Sequence, residues 1–180
     1  MEALSKDELR ALLEAAKSCR ERDWLMILVG FWHGLRASEV CGLTASNIAD
    51  GHVTVARLKG SLRTCQPLVA HEDPLLNERD PLIEFASRMH ANQRVFAVSR
   101  VQFYRLVRKY AALAGIPKRK AHPHILKHSI AMQSIAGAGI ENVRQYLGHK
   151  SLASTGAYLK VDDATASSAV VGSLTGAARD

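Results

Sequence analysis

The sequence predicts a mainly α-helical domain that carries one small antiparallel β-sheet. Three observations predict it. Apolar residues recur at helical spacing over most of the chain. Strand-like sequence is confined to a short stretch after residue 50, and turn residues bracket it. No alternation of strand-like and helix-like segments runs along the chain, which excludes a doubly wound parallel sheet.

Each element has its own signal. Ser5 and Glu8 stand at capping-box spacing ahead of Leu9, Leu12 and Leu13, which marks a helix start. Residues 22–36 place Trp24, Leu25, Ile27, Leu28, Phe31, Trp32 and Leu35 on a wide apolar face, so the aromatic residues belong to a core. Asp50-Gly51 reads as a turn, and residues 52–58 and 62–69 read as two strands joined tightly through Lys59 to Ser61. Pro67 makes the second of these an edge strand or ends it early. Residues 74–90 read as helical, with Pro81 interrupting the helix or starting it afresh. Residues 94–99 fit a short strand or a loop. Residues 99–115 put Phe103, Leu106, Val107, Tyr110 and Ala114 on one helical face, and Gly115 supplies the stop. A basic loop follows, then helical stretches over 124–139, 140–149 and 151–160. The tail, about 161–180, is small and polar and reads as a weak helix or a mobile end.

With 180 residues, 47% of them hydrophobic, the chain forms one domain, or a compact piece of something larger, with a real core, which excludes a disordered chain. The longest apolar run, 24–32, is too short to cross a membrane, and the first residues lack the pattern of a secretory signal. Cys19, Cys41 and Cys65 are an odd number without metal-type spacing, which fits a reducing cytoplasm. Lys and Arg number 24 against 17 acids, a net charge of +7, and that balance fits either a nucleic-acid partner or an ordinary lysine-rich surface.

The run HPHILKHS, 122–129, poses the chemical question. His124 and His128 lie one helical turn apart, as zinc-binding pairs do. Yet Lys127 shares their stretch, no acid stands among them, and an ammonium repels a divalent cation. Cations and imidazoles without a carboxylate suit an anion, and phosphoryl transfer is catalysed by such groups converging on nonbridging oxygens. The chain offers Arg36 in GLRASE, Lys59 in RLKGS, His124 and Lys127 in HILKHS, and His149 in LGHKS. Tyr158 follows nine residues after His149.

In this order and spacing, over about residues 4–160, the sequence resembles the catalytic domain of the tyrosine recombinases, or phage-type integrases. The resemblance implies the mainly α DNA breaking-rejoining fold, one catalytic domain over 1–180, and no N-terminal core-binding domain in this chain, which is either an excised catalytic fragment or similar to the short fimbrial phase-variation recombinases. It implies that Tyr158 is the nucleophile, that Arg36 grips the phosphate, and that Lys59 protonates the leaving 5′-oxygen. His124 and Lys127 would form the His-x-x-Arg box with lysine in the arginine's place, and His149 would hydrogen-bond the phosphate. Glu39, one helical turn beyond Arg36, would buttress it. Lys118, Arg119, Lys120, Arg105 and Arg108 are expected on the DNA backbone.

The resemblance further implies double-stranded DNA as partner and four protomers on two DNA sites, with a monomer allowed when free. It requires no metal and no other cofactor, and it places the protein in the cytoplasm with the nucleoid. In the relatives the tail docks on a neighbouring protomer. Two other readings share the sequence: a DNA-binding relative weakened by Lys127, and a relaxing enzyme like the type IB topoisomerases.

Overall fold

The computed structural model of the chain describes residues 2–57, 62–150 and 155. Helix α1 (Lys6–Cys19) begins at the expected capping box: Ser5 Oγ accepts from the Glu8 N–H at 3.0 Å, and Glu8 accepts from the Ser5 N–H at 2.7 Å. Helix α2 (Glu21–Trp32) is the spine of the core, since every residue from Asp23 to Phe31 is buried. Trp24 is a core residue, and Trp32, half-buried, packs against the core. Each indole N–H still finds an acceptor, Trp24 on the Leu75 carbonyl and Trp32 on the Leu76 carbonyl, both at 2.9 Å.

Short helix α3 (Ala37–Gly42) follows at once and leads into a three-stranded antiparallel sheet of order β1–β2–β3. β1 is Ile48–Ala49, β2 His52–Val55 and β3 Thr64–Pro67. Asp50 and Gly51 turn β1 into β2 with positive φ angles of 51° and 71°, as the Asp-Gly pair requires. Pro67 is the last residue of the edge strand β3, where a missing N–H costs the ladder least. The tight link expected at Lys59–Ser61 lies outside the described residues.

Helix α4 (Arg79–Ser87) is shorter than the 74–90 span that the sequence suggests. Pro81 is tolerated only in its first turn, where no intrahelical N–H bond is lost. Residues 74–78 form a turn instead, led by Asp73 accepting from the Leu75 N–H at 2.9 Å. Residues 94–99 make a loop that touches Thr44 through an isolated bridge at Arg94. Helix α5 (Arg100–Leu113) is capped by Ser99 and Gln102 and buries Phe103, Val107, Tyr110 and Ala111 against the core. Helices α6 (His124–Ala138) and α7 (Ile140–Tyr146) break apart at Gly139, φ 78°. The expected helix at 151–160 and the tail at 161–180 lie outside the described residues, Thr155 excepted. Among the described residues no helix is long and apolar enough to cross a membrane.

Candidate functional site

The polar site gathers where α2 ends, α3 begins, and α6 meets the turn after α7. Arg36 is the residue just before α3. Glu39, in the first turn of α3, accepts from the Arg36 N–H at 2.8 Å and from its Nη1 at 3.0 Å. The Glu39 side chain is wholly buried while that of Arg36 keeps 25% of its surface exposed. A buried carboxylate thus holds a partly exposed guanidinium.

Lys127 lies in the second turn of α6 and is 2% exposed. Its Nζ donates to the Leu147 carbonyl at 3.3 Å. Burial, then the charges of Arg57 and Arg36, push its pKa down to about 7, and Glu39 opposes them. His124, although three residues before Lys127, is exposed. Its ring sits edge-on against His128 with centroids 4.2 Å apart. Burial and the neighbouring His124 and His122 hold His128 down to about 4, so it is a neutral imidazole at pH 7.

His149 follows Gly148, whose φ of 67° turns the chain back from α7. A Cβ at Gly148 would stand 2.8 Å from the Leu62 carbonyl oxygen and 3.1 Å from Arg57 Cγ, so glycine is what admits the hairpin here. Leu62 N–H in turn donates to the Gly148 carbonyl at 3.0 Å. His149 is 7% exposed, and its Nδ1 lies 3.0 Å from Thr155 Oγ1. Burial and the charges of Lys127, Arg36, Arg57 and Arg144 lower its pKa to about 4. The influence of Lys127 and Arg36 on His149, and of Arg36 on Lys127, marks one electrostatic cluster. The structure therefore brings together Arg36, Glu39, Lys127 and His149. Lys59 and Tyr158 lie outside the described residues.

The cations expected on DNA are spread more widely. Arg105 and Arg108 are exposed on α5, and the Arg108 guanidinium stands over the Tyr104 ring at 5.9 Å. Arg105 shares a groove with Arg20, Arg22 and Lys109. Lys118 is exposed, whereas Arg119 pairs with Glu2, and Lys120 pairs with Glu8 at 2.7 Å.

Sequence reading missed a buried layer beneath the site. Arg57, with no side-chain exposure, donates to Glu39, to the His33, Gly34 and Tyr146 carbonyls, and to Thr64 and Gln66. His33 is fully buried between Gln66, 3.0 Å from Nδ1, and Glu78, 2.7 Å from Nε2. Arg57 stands two residues before Lys59 in the same basic stretch, and nothing in its local sequence separates it from a surface arginine.

The sequence and the fold have known counterparts. The phage integrase family matches residues 2–165 of the chain. The chain belongs to that family. It is 33% identical to the type 1 fimbriae regulatory protein FimB of Escherichia coli K12 over 165 residues, which cover 84% of this chain and 80% of that protein. It is 31% identical to the tyrosine recombinase XerA of Pyrococcus furiosus over 169 residues, 88% of this chain and 57% of that protein. The chain thus spans little more than half the length of the XerA protein, while it covers most of FimB. Among solved structures the fold superposes on a XerA recombinase with a TM-score of 0.74 at 24% identity, covering 100% of this chain and 65% of that one. It also matches the catalytic domain of bacteriophage HP1 integrase, with a TM-score of 0.68 at 23% identity over 99% of both chains. The mainly α fold with its small sheet is that of the tyrosine recombinase catalytic domains.

Proposed function

We propose that this domain cuts and rejoins double-stranded DNA at specific sites through a 3′-phosphotyrosine intermediate. The observation that carries the reading is the cluster of Arg36, Lys127 and His149, with Glu39 buried behind Arg36, in a chain of this family. Arg36 and Lys127 supply positive charge for nonbridging phosphate oxygens, and His149, neutral at pH 7, supplies an imidazole hydrogen bond. The Tyr158 hydroxyl attacks phosphorus, the bond to the 5′-oxygen breaks, and Lys59 returns a proton to that oxygen. His124 receives the tyrosine proton. The reverse sequence rejoins the strand, and the phosphotyrosine ester keeps the energy of the broken bond, so neither metal nor nucleotide is required.

The assembly on DNA is four protomers on two sites, which places the protein with the nucleoid. The exposed cations Arg105, Arg108 and Lys118 support contact with the DNA backbone. Arg119 and Lys120 would join them by leaving Glu2 and Glu8.

A nicked suicide duplex bearing the DNA that flanks the coding region tests the chemistry. The parent should form an adduct that survives a denaturing gel, and Tyr158→Phe should bind the duplex yet form none. Adduct at parental yield in Tyr158→Phe would refute the nucleophile. Binding without adduct in every form would make the domain a DNA-binding relative, and supercoil relaxation without exchange would make it a topoisomerase-like enzyme.

A further inference from the structure

A guanidinium is poorly placed in a protein interior unless its five N–H donors are all used. Arg57 meets that condition. Its Nε donates to Thr64 Oγ1 at 2.9 Å, at the start of β3. Its Nη1 donates to the Gly34 carbonyl at 3.1 Å and to Glu39 Oε2 at 3.4 Å. Its Nη2 donates to the His33 carbonyl at 2.9 Å, with the Tyr146 carbonyl at 3.4 Å and Gln66 Oε1 at 3.5 Å.

The acceptors have a pattern. The His33 and Gly34 carbonyls end the spine helix α2, just ahead of Arg36. The Tyr146 carbonyl ends α7, just ahead of the Leu147 carbonyl that accepts from Lys127 and the Gly148 turn that delivers His149. These helix ends present carbonyls without intrahelical partners, and a cation there is stabilised by the helix dipole. Glu39 is shared, with Oε2 taking both the Arg36 N–H and Arg57, and Oε1 taking Arg36 Nη1. Gln66 strengthens the same seam by donating to the Tyr146 carbonyl at 2.8 Å. One side chain therefore joins the segment of Arg36, the base of the β2–β3 hairpin and the segment of His149. None of its donors is left to touch a substrate.

We propose that Arg57 is a positioning residue for the strand-transfer site: it locks the Arg36 segment to the His149 segment and sets the spacing at which Arg36 and Lys127 meet one phosphate. Its catalytic consequence rests on the function proposed above. The fork is essential to the role, because lysine has three donors on one nitrogen and cannot span acceptors on three segments in a plane. Arg57 also places a fixed positive charge on Lys127, whose titration is lowered by burial and next by Arg57. A purely structural arginine remote from the site would lack that electrical signature.

Arg57→Met and Arg57→Lys test the assignment in the full chain. The measurements are circular dichroism for folding, affinity for the nicked duplex, the single-turnover rate of adduct formation at saturating DNA, and the Lys127 titration followed by NMR of its ε-carbon, assigned with Lys127→Arg. A displaced cation misaligns the reacting phosphate, so the Arg57→Met adduct rate should fall on the order of 100-fold while DNA affinity holds. Arg57→Lys should recover part of that loss without reaching the parent. The Lys127 midpoint should rise in Arg57→Met, where a neighbouring charge is gone, and stay near the parental value in Arg57→Lys. Parental rate in a folded Arg57→Met, or in Arg57→Lys if the methionine variant does not fold, overturns the proposal. Should the parent itself form no adduct, the strand-transfer reading fails, and the Lys127 midpoint in Arg57→Met then decides Arg57: unmoved or lowered, it overturns the assignment; raised, it upholds the coupling.

Discussion

Lys127→Met should make the protein more stable at neutral pH, and the gain should vanish at alkaline pH. Lys127 is 2% exposed, and its pKa falls to about 7 from an ordinary value of 10.5. Burial is the main cause, followed by repulsion from Arg57 and Arg36. A lysine with a lowered folded-state pKa releases its proton in the native state while the unfolded chain still holds it. Stability therefore rises with pH between about 7 and 10.5 and is lost as pH falls back through 7. The slope in that window is at most ~1.4 kcal/mol per pH unit, so the whole charging penalty is up to ~5 kcal/mol.

Methionine fills much of the same volume without a charge. It gives up the hydrogen bond to the Leu147 carbonyl, a loss of ~1 kcal/mol. The variant should thus exceed the parent by up to ~4 kcal/mol at pH 6 and fall slightly below it at pH 10. Urea unfolding of both proteins at pH 6, 7, 8, 9 and 10 measures the difference, in which every group common to the two cancels. A difference that stays constant across this range would refute the reasoning, because it would mean that Lys127 carries its proton equally in both states. On the proposed function, a phosphate at the site would restore the charge that burial removes.

The same residue should respond oppositely in catalysis. Lys127→Arg should cleave as fast as the parent or faster, whereas Lys127→Ala and Lys127→Gln should lose on the order of 100- to 1,000-fold in single-turnover rate; alanine cleaving at parental rate would make Lys127 a bystander. DNA affinity should fall steeply with salt, by about 1,000-fold between 50 and 200 mM if roughly six phosphates are neutralised, and a flat response would reduce the net +7 to a solubility feature. Gly148→Ala forces a side chain into a backbone with φ 67° and against the Leu62 carbonyl, so stability should drop by ~2 kcal/mol or more and Tm by roughly 4–8 °C, measured by calorimetry. An unchanged Tm would show that the hairpin does not pack on Gly148.

Local sequence determined much of this protein. The Ser5–Glu8 cap, the apolar face of α2 and the Asp50-Gly51 turn are written in residues adjacent or one helical turn apart, because helix and hairpin periods are local properties. The order Arg36, Lys59, His124, Lys127, His149, Tyr158 is also visible in one dimension, since residue types and their spacing are properties of the sequence itself. Glu39 could be placed behind Arg36 because the two lie within one turn. The limit shows at Pro81, where the apolar pattern of 74–90 suggested a helix that starts only at Arg79.

Tertiary structure decided the rest. His124 and Lys127 sit three residues apart on one helix, yet one is exposed and the other is 2% exposed, and the lysine reaches the distant Leu147 carbonyl. Arg57 looks like any basic residue of its stretch until α2, α3, β3 and α7 converge on it from residues 33, 34, 39, 64 and 146. His33 acquires its two buried partners from positions 33 and 45 residues away. A side chain's burial, its charge state and the use of its donors depend on which distant segments surround it, and those neighbours are set by the packing of the whole core, which no local pattern records.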